Sequence, residues 1–296
     1  MESIDVAGRP RTYTLVTPDG GDYDRLLIVF HGSTQNAGIF RRFTGNAFDR
    51  LDRTAVAYLD GYRGNWNDAR RLSSTPARLA GVDDVAFTEA IVKRFGDGRE
   101  TIAAGYSNGG GMVIRLLHER PDLLAGGAII AAQQPAPDNF LLSGTPALPV
   151  VPKPVLLIHG TKDRIIPYGG GRMAAWARFA FRSGGALLSA PETAAYFARR
   201  NGITTDAVTT ILPHAADRTS ASRTSASRTG RTSAGRTGRT TVSRTDYAQD
   251  GRPPVTLFTV HGGGHTIPGP TPSPALMGRT ATDLHAATAI AEFFGR

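Results

Sequence analysis

A serine lies between closely spaced glycines in the stretch Gly105-Tyr106-Ser107-Asn108-Gly109. This spacing is typical of the sharp turn that presents a nucleophilic serine between a strand and a helix. Glycine suits such a turn because it has no side chain to collide with the neighbouring strand and helix. An apolar run before the stretch predicts a strand, and an amphipathic run after it predicts a helix. The flanking pattern therefore favours a nucleophile at Ser107 over a purely structural turn.

A serine hydroxyl is a weak nucleophile, so the chain must also supply a base and an acid that orients the base. Asp163 and His265 follow Ser107 in the order serine, acid, histidine that one large class of hydrolases uses. Each of the three residues comes just after a predicted strand. The alternative for Asp163 is an aspartate that bonds the amides of its own turn. The residues predict a Ser-His-Asp triad that needs no metal and no organic cofactor.

Other residues of the same types compete for the roles of base and acid. His261 and His265 belong to one glycine-rich loop, and the three glycines between them favour His265 because they let the loop place its ring over the serine. Asp83 and Asp84 match Asp163 in type, but they precede the serine and begin a predicted helix. We therefore favour Asp163 and His265.

Two backbone N–H groups should stabilise the oxyanion that forms during attack on a carbonyl group. The amide of Asn108 is one candidate because it follows the serine directly. The other should come from the loop after the strand Arg25–Phe30, with Ser33 favoured and Thr34 as the alternative. Three side chains beside predicted strand ends are candidates for substrate contact, although the first could instead shape its turn: His31, Trp66 and Tyr106.

Apolar runs alternate with helical patterns along the chain, which predicts an α/β fold with a mostly parallel central sheet and helices on both faces. Short strands at 4–6 and 12–16 predict an antiparallel opening pair. The other main predicted elements are strands at 25–30, 55–60, 125–132, 154–158 and 255–260, and helices at 81–95, from 190 up to Gly202, and at 282–294. Ligands of such sheets bind beyond the carboxyl ends of the strands, where every motif above falls.

One segment departs from this alternation. Arginine recurs every three or five residues over 218–244, and no period gives an apolar face. Such a segment cannot bury enough surface to offset its ordering entropy, so we expect a disordered insertion over 217–246 within a single domain that spans 1–296. Weak, salt-dependent contact with nucleic acid is conceivable through 218–244, but a loop without function is the simpler interpretation. The proline-rich residues 134–154 predict a loop that covers the site.

Composition narrows the class of protein further. The chain of 296 residues is 40% hydrophobic and has no cysteine, which excludes disulfides and thiolate metal sites. More than half of the net charge of +9 lies in 217–246, with its seven arginines and two aspartates. The sequence has neither the pattern of a signal peptide nor a membrane-spanning apolar run. We expect a cytoplasmic protein, with secretion as the alternative if the true start codon lies upstream.

The chain resembles the polyhydroxybutyrate depolymerase / feruloyl esterase family of α/β hydrolases in five stretches taken in order: HGSTQNA, GVDDVAF, AAGYSNGGGM, LLIHGTKDRIIPY and VHGGGHTIPG. The resemblance implies an α/β-hydrolase fold and a serine carboxylic ester hydrolase, with Ser107, Asp163 and His265 in the matching positions. It implies a small or short-chain ester, of feruloyl or hydroxyalkanoate type, as the substrate. An acyltransferase with the same triad is one alternative. A non-catalytic binding module that uses the basic segment for polyanions is another.

Overall fold

The computed structural model describes residues 1–143, 149–213 and 240–295. These residues form a ten-stranded sheet with the order β1-β2-β4-β3-β5-β6-β7-β12-β11-β10, and a small sheet of β8 and β9. The strands are β1 (Glu2–Val6), β2 (Arg9–Val16), β3 (Arg25–Phe30), β4 (Thr54–Leu59), β5 (Glu100–Tyr106), β6 (Gly126–Ile130), β7 (Val155–Gly160), β8 (Gly171–Arg172), β9 (Ala186–Leu187), β10 (Val208–Ile211), β11 (Thr241–Tyr247) and β12 (Val255–His261).

The centre of the large sheet is parallel and its two borders are antiparallel. Strands β4, β3, β5, β6, β7 and β12 run in one direction. The pair β1–β2 continues the sheet on one side and the pair β11–β10 on the other, both antiparallel. The predicted α/β fold, with its mostly parallel sheet and antiparallel opening pair, is confirmed.

Helices cover both faces of the sheet. They are α1 (Ala37–Phe43), α2 (Pro76–Leu79), α3 (Asp84–Phe95), α4 (Asn108–Glu119), α5 (Ala175–Phe181), α6 (Ala190–Arg200) and α7 (Ala286–Phe294). One apolar core joins the sheet to α3, α4 and α6, and a second joins its other face to α1 and α7. Because the central strands are buried on both faces, they are continuous apolar runs such as RLLIVF in β3.

Local signals account for where several helices begin and end. Ser189 and Glu192 form the predicted capping box of α6, and Gly202 follows its last turn with a positive φ of 72°. The last helix begins later than the predicted 282, because His285 is extended and α7 starts at Ala286. That prediction was wrong by about one turn, since apolar spacing does not locate an uncapped helix start.

The structure corrects one end of the predicted insertion at 217–246. Residues 241–247 are strand β11, which pairs with β12 along its whole length, for example Val242 with Val260. Backbone hydrogen bonds to β12 and the burial of Val242 hold this polar segment in the sheet, so its composition alone misled the prediction. Residues 214–239, which hold the rest of the predicted insertion, lie outside the described residues.

The predicted loop at 134–154 is described except for 144–148. Its described residues form no helix and no strand, and they make single backbone pairings with other segments: Phe140 with Arg70, and Pro135 with Leu187 of β9. The buried Asn139 fixes this loop to 184–186, since its side-chain amide donates to the carbonyl groups of Gly184 and Ala186. The loop is therefore tied to the segment that follows α5.

Candidate active site

Ser107 occupies the tight turn between β5 and α4. Its backbone has φ 55° and ψ −119°, a conformation that side-chain-bearing residues rarely adopt. Glycine is required on both sides: a Cβ on Gly105 would lie 2.1 Å from the Gly109 carbonyl oxygen, and a Cβ on Gly109 would lie 2.1 Å from that of Phe30. The close approach of strand, turn and helix therefore explains why the sequence has glycine at these positions.

Asp163 and His265 are brought together by two neighbouring strands. Asp163 follows β7 and His265 follows β12, and these strands are adjacent and parallel. The Nδ1 atom of His265 lies 2.7 Å from Oδ2 of Asp163. The other carboxylate oxygen accepts hydrogen bonds from the N–H groups of Ile165 and Ile166, each at 2.8 Å. The carboxylate is thus fixed on both sides, with one oxygen directed at the imidazole.

The charge of Asp163 is stabilised although the side chain is buried. Burial alone would raise its pKa, but the neighbouring His265 and His159, through charge and hydrogen bonding, hold the pKa of this carboxyl well below its usual range. His159 lies on β7, and its Nε2 donates to the Ile166 carbonyl at 3.0 Å while lying 3.4 Å from the Asp163 carboxylate. Asp163 is therefore an anion that can orient an imidazole and stabilise an imidazolium.

The main chain of His265 is held by two hydrogen bonds. Its N–H donates to the Met277 carbonyl at 2.7 Å, and its own carbonyl accepts from the Tyr106 hydroxyl at 2.7 Å. The Tyr106 ring also packs on the imidazole, with ring centroids 5.1 Å apart. Because Nδ1 is engaged by Asp163, Nε2 is the ring nitrogen left for a group in the cavity.

Ser107 and His265 line one cavity of about 320 Å³. Most of its wall is apolar, and these side chains come from α1, from the end of β5, from the loops after β7 and β12, and from α5: Ile39, Phe43, Tyr106, Ile165, Phe181 and Met277. The loop after β3 adds small polar residues. Of the described residues that line it, none is an aspartate, a glutamate, a lysine or an arginine. The cavity therefore suits an uncharged group beside the serine hydroxyl. We call it the active-site cavity.

The loop after β3 leaves one backbone amide of interest without a partner. The N–H of Gly32 donates to the Gln35 side chain at 2.9 Å, and that of Thr34 donates to the Gly64 carbonyl at 2.8 Å. Within the described chain no acceptor engages the N–H of Ser33. At the start of α4 the N–H of Asn108 has no partner inside the helix, as at any helix beginning. Ser33 and Asn108 thus remain the oxyanion donors to be tested, and Thr34 drops out.

The side chain of Asn108 has a structural role that the sequence analysis did not include. Its Oδ1 accepts from the Trp66 N–H at 2.7 Å, and its Nδ2 donates to the Asp68 carboxylate at 2.6 Å. Arg70 pairs with the same carboxylate, with Nε at 2.8 Å. All of these groups are buried. This network fixes the first residue of α4 beside Ser107. The only signal in the sequence was the polar pair Asp68 and Arg70 in GNWNDAR.

Two of the predicted substrate contacts are buried and do not line the cavity. His31 is 1% exposed, and its ring accepts from the Gly61 N–H at 2.9 Å and bonds the Gly32 carbonyl at 2.7 Å. Trp66 is fully buried and donates from Nε1 to the His31 carbonyl at 2.9 Å. Both side chains shape the loop after β3. Tyr106 does line the cavity, although its hydroxyl is engaged by His265.

The competing aspartates and histidine are engaged elsewhere. Asp83 caps α3 by accepting from the Ala86 N–H, and buried Asp84 pairs with Arg11 at 2.7 Å. His261 is exposed, and its Nε2 lies 2.8 Å from the Ser243 hydroxyl on β11. Among these candidates only Asp163 and His265 contact each other.

Comparisons with known proteins agree on the class of enzyme. The protein named "Putative esterase NocK" from Nocardia uniformis subsp. tsuyamanensis is 32% identical over 303 residues, which covers 97% of this chain and 80% of that protein. "Feruloyl esterase B" from Piromyces equi is 29% identical over 152 residues, 49% of this chain and 27% of that protein. No family model matches the chain.

Solved structures of low identity share the fold. Acetyl xylan esterase from Aspergillus awamori is 12% identical with a TM-score of 0.53, covering 96% of this chain and 93% of that one. TT1662 from Thermus thermophilus is 16% identical with a TM-score of 0.50, covering 99% and 95%. No described helix is both long and apolar enough to cross a membrane. The chain belongs to the esterase-like family of α/β hydrolases and is a carboxylic ester hydrolase.

Proposed function

We propose that Ser107, His265 and Asp163 act as a catalytic triad that hydrolyses esters of a small or short-chain carboxylic acid through an acyl-enzyme. The single observation that carries this proposal is the 2.7 Å contact between Asp163 Oδ2 and His265 Nδ1, in a buried pair whose imidazole shares a cavity with Ser107. A carboxylate on Nδ1 selects the imidazole tautomer whose Nε2 can accept a proton.

In the first half of the reaction, Ser107 Oγ attacks the ester carbonyl carbon while His265 Nε2 takes the hydroxyl proton. The carbonyl oxygen becomes an anion that accepts hydrogen bonds from the N–H groups of Ser33 and Asn108. His265 then gives its proton to the alcohol oxygen, the bond between that oxygen and the carbonyl carbon breaks, and the alcohol leaves. Asp163 stabilises the imidazolium during these steps.

In the second half, a water molecule takes the place of the alcohol. It attacks the acyl carbon and gives a proton to His265. The bond from that carbon to Ser107 Oγ then breaks, His265 returns the proton to the serine, and the free acid leaves. The apolar wall of the active-site cavity and its volume of about 320 Å³ support an uncharged, compact acyl group. One relative carries the name feruloyl esterase, and we infer a feruloyl-type or hydroxyalkanoate-type acyl group here.

The experiment is a panel of p-nitrophenyl and feruloyl esters with graded acyl size. Turnover should disappear in Ser107→Ala while the melting temperature is retained, and a fluorophosphonate should label Ser107 stoichiometrically. Ser143→Ala, at an exposed serine, is the matched control. Labelling of another serine would refute the assignment. Product analysis with an added alcohol distinguishes hydrolysis from acyl transfer, because transfer would yield a new ester.

A further inference from the structure

A second cavity of about 190 Å³ adjoins the active-site cavity. Phe43, the last residue of α1, lines both of them. The loop after β12 also passes from one to the other, since His265 lines the active-site cavity and Ile267 lines the second. Phe43 and the chain at 265–267 therefore contribute to the lining of both cavities, and we call these residues the ridge. A ligand that extends past this ridge would enter the second cavity.

The second cavity has a different chemistry from the first. Its lining combines apolar side chains, the buried Phe48 and Ile267 and the half-buried Leu51, with polar ones such as His285 and Thr288. Arg50 is an exposed lining residue whose guanidinium donates one hydrogen bond to the Gly45 carbonyl at 3.0 Å and keeps other N–H groups for a ligand, and Thr271 adds a hydroxyl. None of its described lining residues is acidic. Apolar side chains together with one arginine, and no acid among the described lining residues, fit a chain that ends in an anionic group.

The position of the ridge indicates which part of an ester would cross it. In the proposed reaction, the alcohol oxygen must lie beside His265 to receive its proton. The alcohol part therefore leaves the reacting centre on the side of His265, where the ridge begins. The acyl carbonyl must instead lie toward Ser33 and Asn108.

We propose that the second cavity is a subsite for the alcohol part of the substrate, and that it takes an aliphatic alcohol ending in a carboxylate. This inference rests on the proposed function for its direction, from His265 across Phe43 to Arg50. The apolar wall contributes affinity for the methylene groups, and the Arg50 guanidinium pairs with the terminal carboxylate. The substrate class is thus an ester of a compact acid with an ω-hydroxy acid.

The test uses acetate esters, so that the acyl group is constant and small. Two series are compared by the rate of acid release: alkyl acetates from ethyl to octyl, and acetates of ω-hydroxy acids of matched length. We expect kcat/KM to rise by about fourfold for each methylene that enters the second cavity. Carboxylate-ended esters should exceed methyl-ended ones by about three- to fivefold, as for an exposed ion pair.

Two variants and two matched controls locate the effect. Leu51→Trp fills the second cavity and should remove the gain with alcohol length, whereas Leu276→Trp, at an exposed leucine that lines neither cavity, should retain it. Arg50→Gln should remove the preference for the carboxylate, and Arg42→Gln, at an exposed arginine outside both cavities, should retain it. A kcat/KM that does not rise with alcohol length, or a rise that Leu51→Trp retains, would overturn the proposal.

A binding measurement separates this proposal from the proposed function. If the wild-type protein did not hydrolyse p-nitrophenyl acetate, this result would count against the proposed triad. Binding of ω-hydroxyoctanoate does not depend on catalysis and would still test the second cavity. Calorimetry should give a dissociation constant for ω-hydroxyoctanoate that Arg50→Gln weakens by about three- to fivefold. Leu51→Trp should abolish the binding. If neither variant changes the dissociation constant, the second cavity is not the subsite.

Discussion

The Tyr106 hydroxyl donates to the main-chain carbonyl of His265 at 2.7 Å, across a sequence separation of 159 residues. The residue that precedes the proposed nucleophile thus fixes the loop that carries the proposed base. Because Tyr106 is the last residue of β5, this hydrogen bond ties the main chain of His265 directly to the central sheet.

Tyr106→Phe should lower kcat by up to about tenfold, because the variant removes one buried hydrogen bond and loosens the His265 loop. The ring contact remains, so we expect the melting temperature to fall only modestly. Tyr23→Phe is the matched control, since that hydroxyl also donates to a main-chain carbonyl, of Phe95 at 3.0 Å, but from a strand-connecting region away from the cavity. Equal kcat values for the two variants would contradict the role given to Tyr106.

Asn108→Ala should affect both stability and turnover. It leaves the Trp66 N–H and the Asp68 carboxylate each short of one buried partner, which costs about 1–3 kcal/mol. The loss of this anchor should also displace the amide beside Ser107 and lower kcat. Asn201→Ala is the matched control, because Asn201 is equally buried. Its side-chain amide donates to the carbonyl groups of Lys153 and Pro253, which are distant from it in sequence. That variant should lose stability by unfolding measurements and keep its kcat.

Acid should destabilise the protein before its carboxylates are titrated. Burial lowers the pKa of His31 and of His118 from 6.5 to about 4 in each case. His118 is neutral, since its Nε2 lies 2.8 Å from the Tyr196 hydroxyl and its Nδ1 donates to the Ile114 carbonyl. The unfolded chain takes up protons below about pH 6.5 while the folded chain does not until about pH 4, so stability falls as the pH drops through this window.

Each of these two histidines should account for about 3 kcal/mol of that loss. The carboxyl of Asp163 adds to it at lower pH, because its depressed pKa stabilises the fold above about pH 4 and that contribution is lost below. Urea unfolding between pH 7 and pH 4 measures the slope. His118→Gln should make it shallower, and His261→Gln, at an exposed position, is the matched control. A slope unchanged in His118→Gln would refute the assignment.

Deletion of 214–239 should leave the fold and ester hydrolysis intact. The described residues on either side of this segment are paired on the sheet: Ile211 pairs with Ser243, and the Leu212 N–H donates to the Val242 carbonyl at 2.9 Å. A short turn such as Asn-Gly can therefore join β10 to β11. Deletion of 218–244 removes Val242 and half of β11, so its melting temperature should fall sharply. Loss of folding in the first deletion would show that 214–239 contributes to the core.

The sequence predicted the sheet and the residues at its carboxyl edge because both depend on local patterns. Apolar runs mark strands, and Ser107, Asp163 and His265 each follow one. The burial of Trp66 and His31 was not predictable, because it depends on how a loop without periodicity folds over the start of α4. The strand at 241–247 was missed for a related reason: its pairing with β12 is a backbone interaction that composition does not encode.

The backbone of Ser107, with φ 55° and ψ −119°, is strained, so the proposed nucleophile lowers the free energy of unfolding of the protein. A side-chain-bearing residue in such a conformation loses about 1–3 kcal/mol, which glycine would not. Ser107→Gly should therefore melt at a higher temperature than both the wild type and Ser107→Ala. This result would show that a single residue, Ser107, lowers stability in return for activity. A lineage that no longer required turnover would gain stability by replacing this serine with glycine, and a family member with glycine here would be a sign of relaxed selection on catalysis.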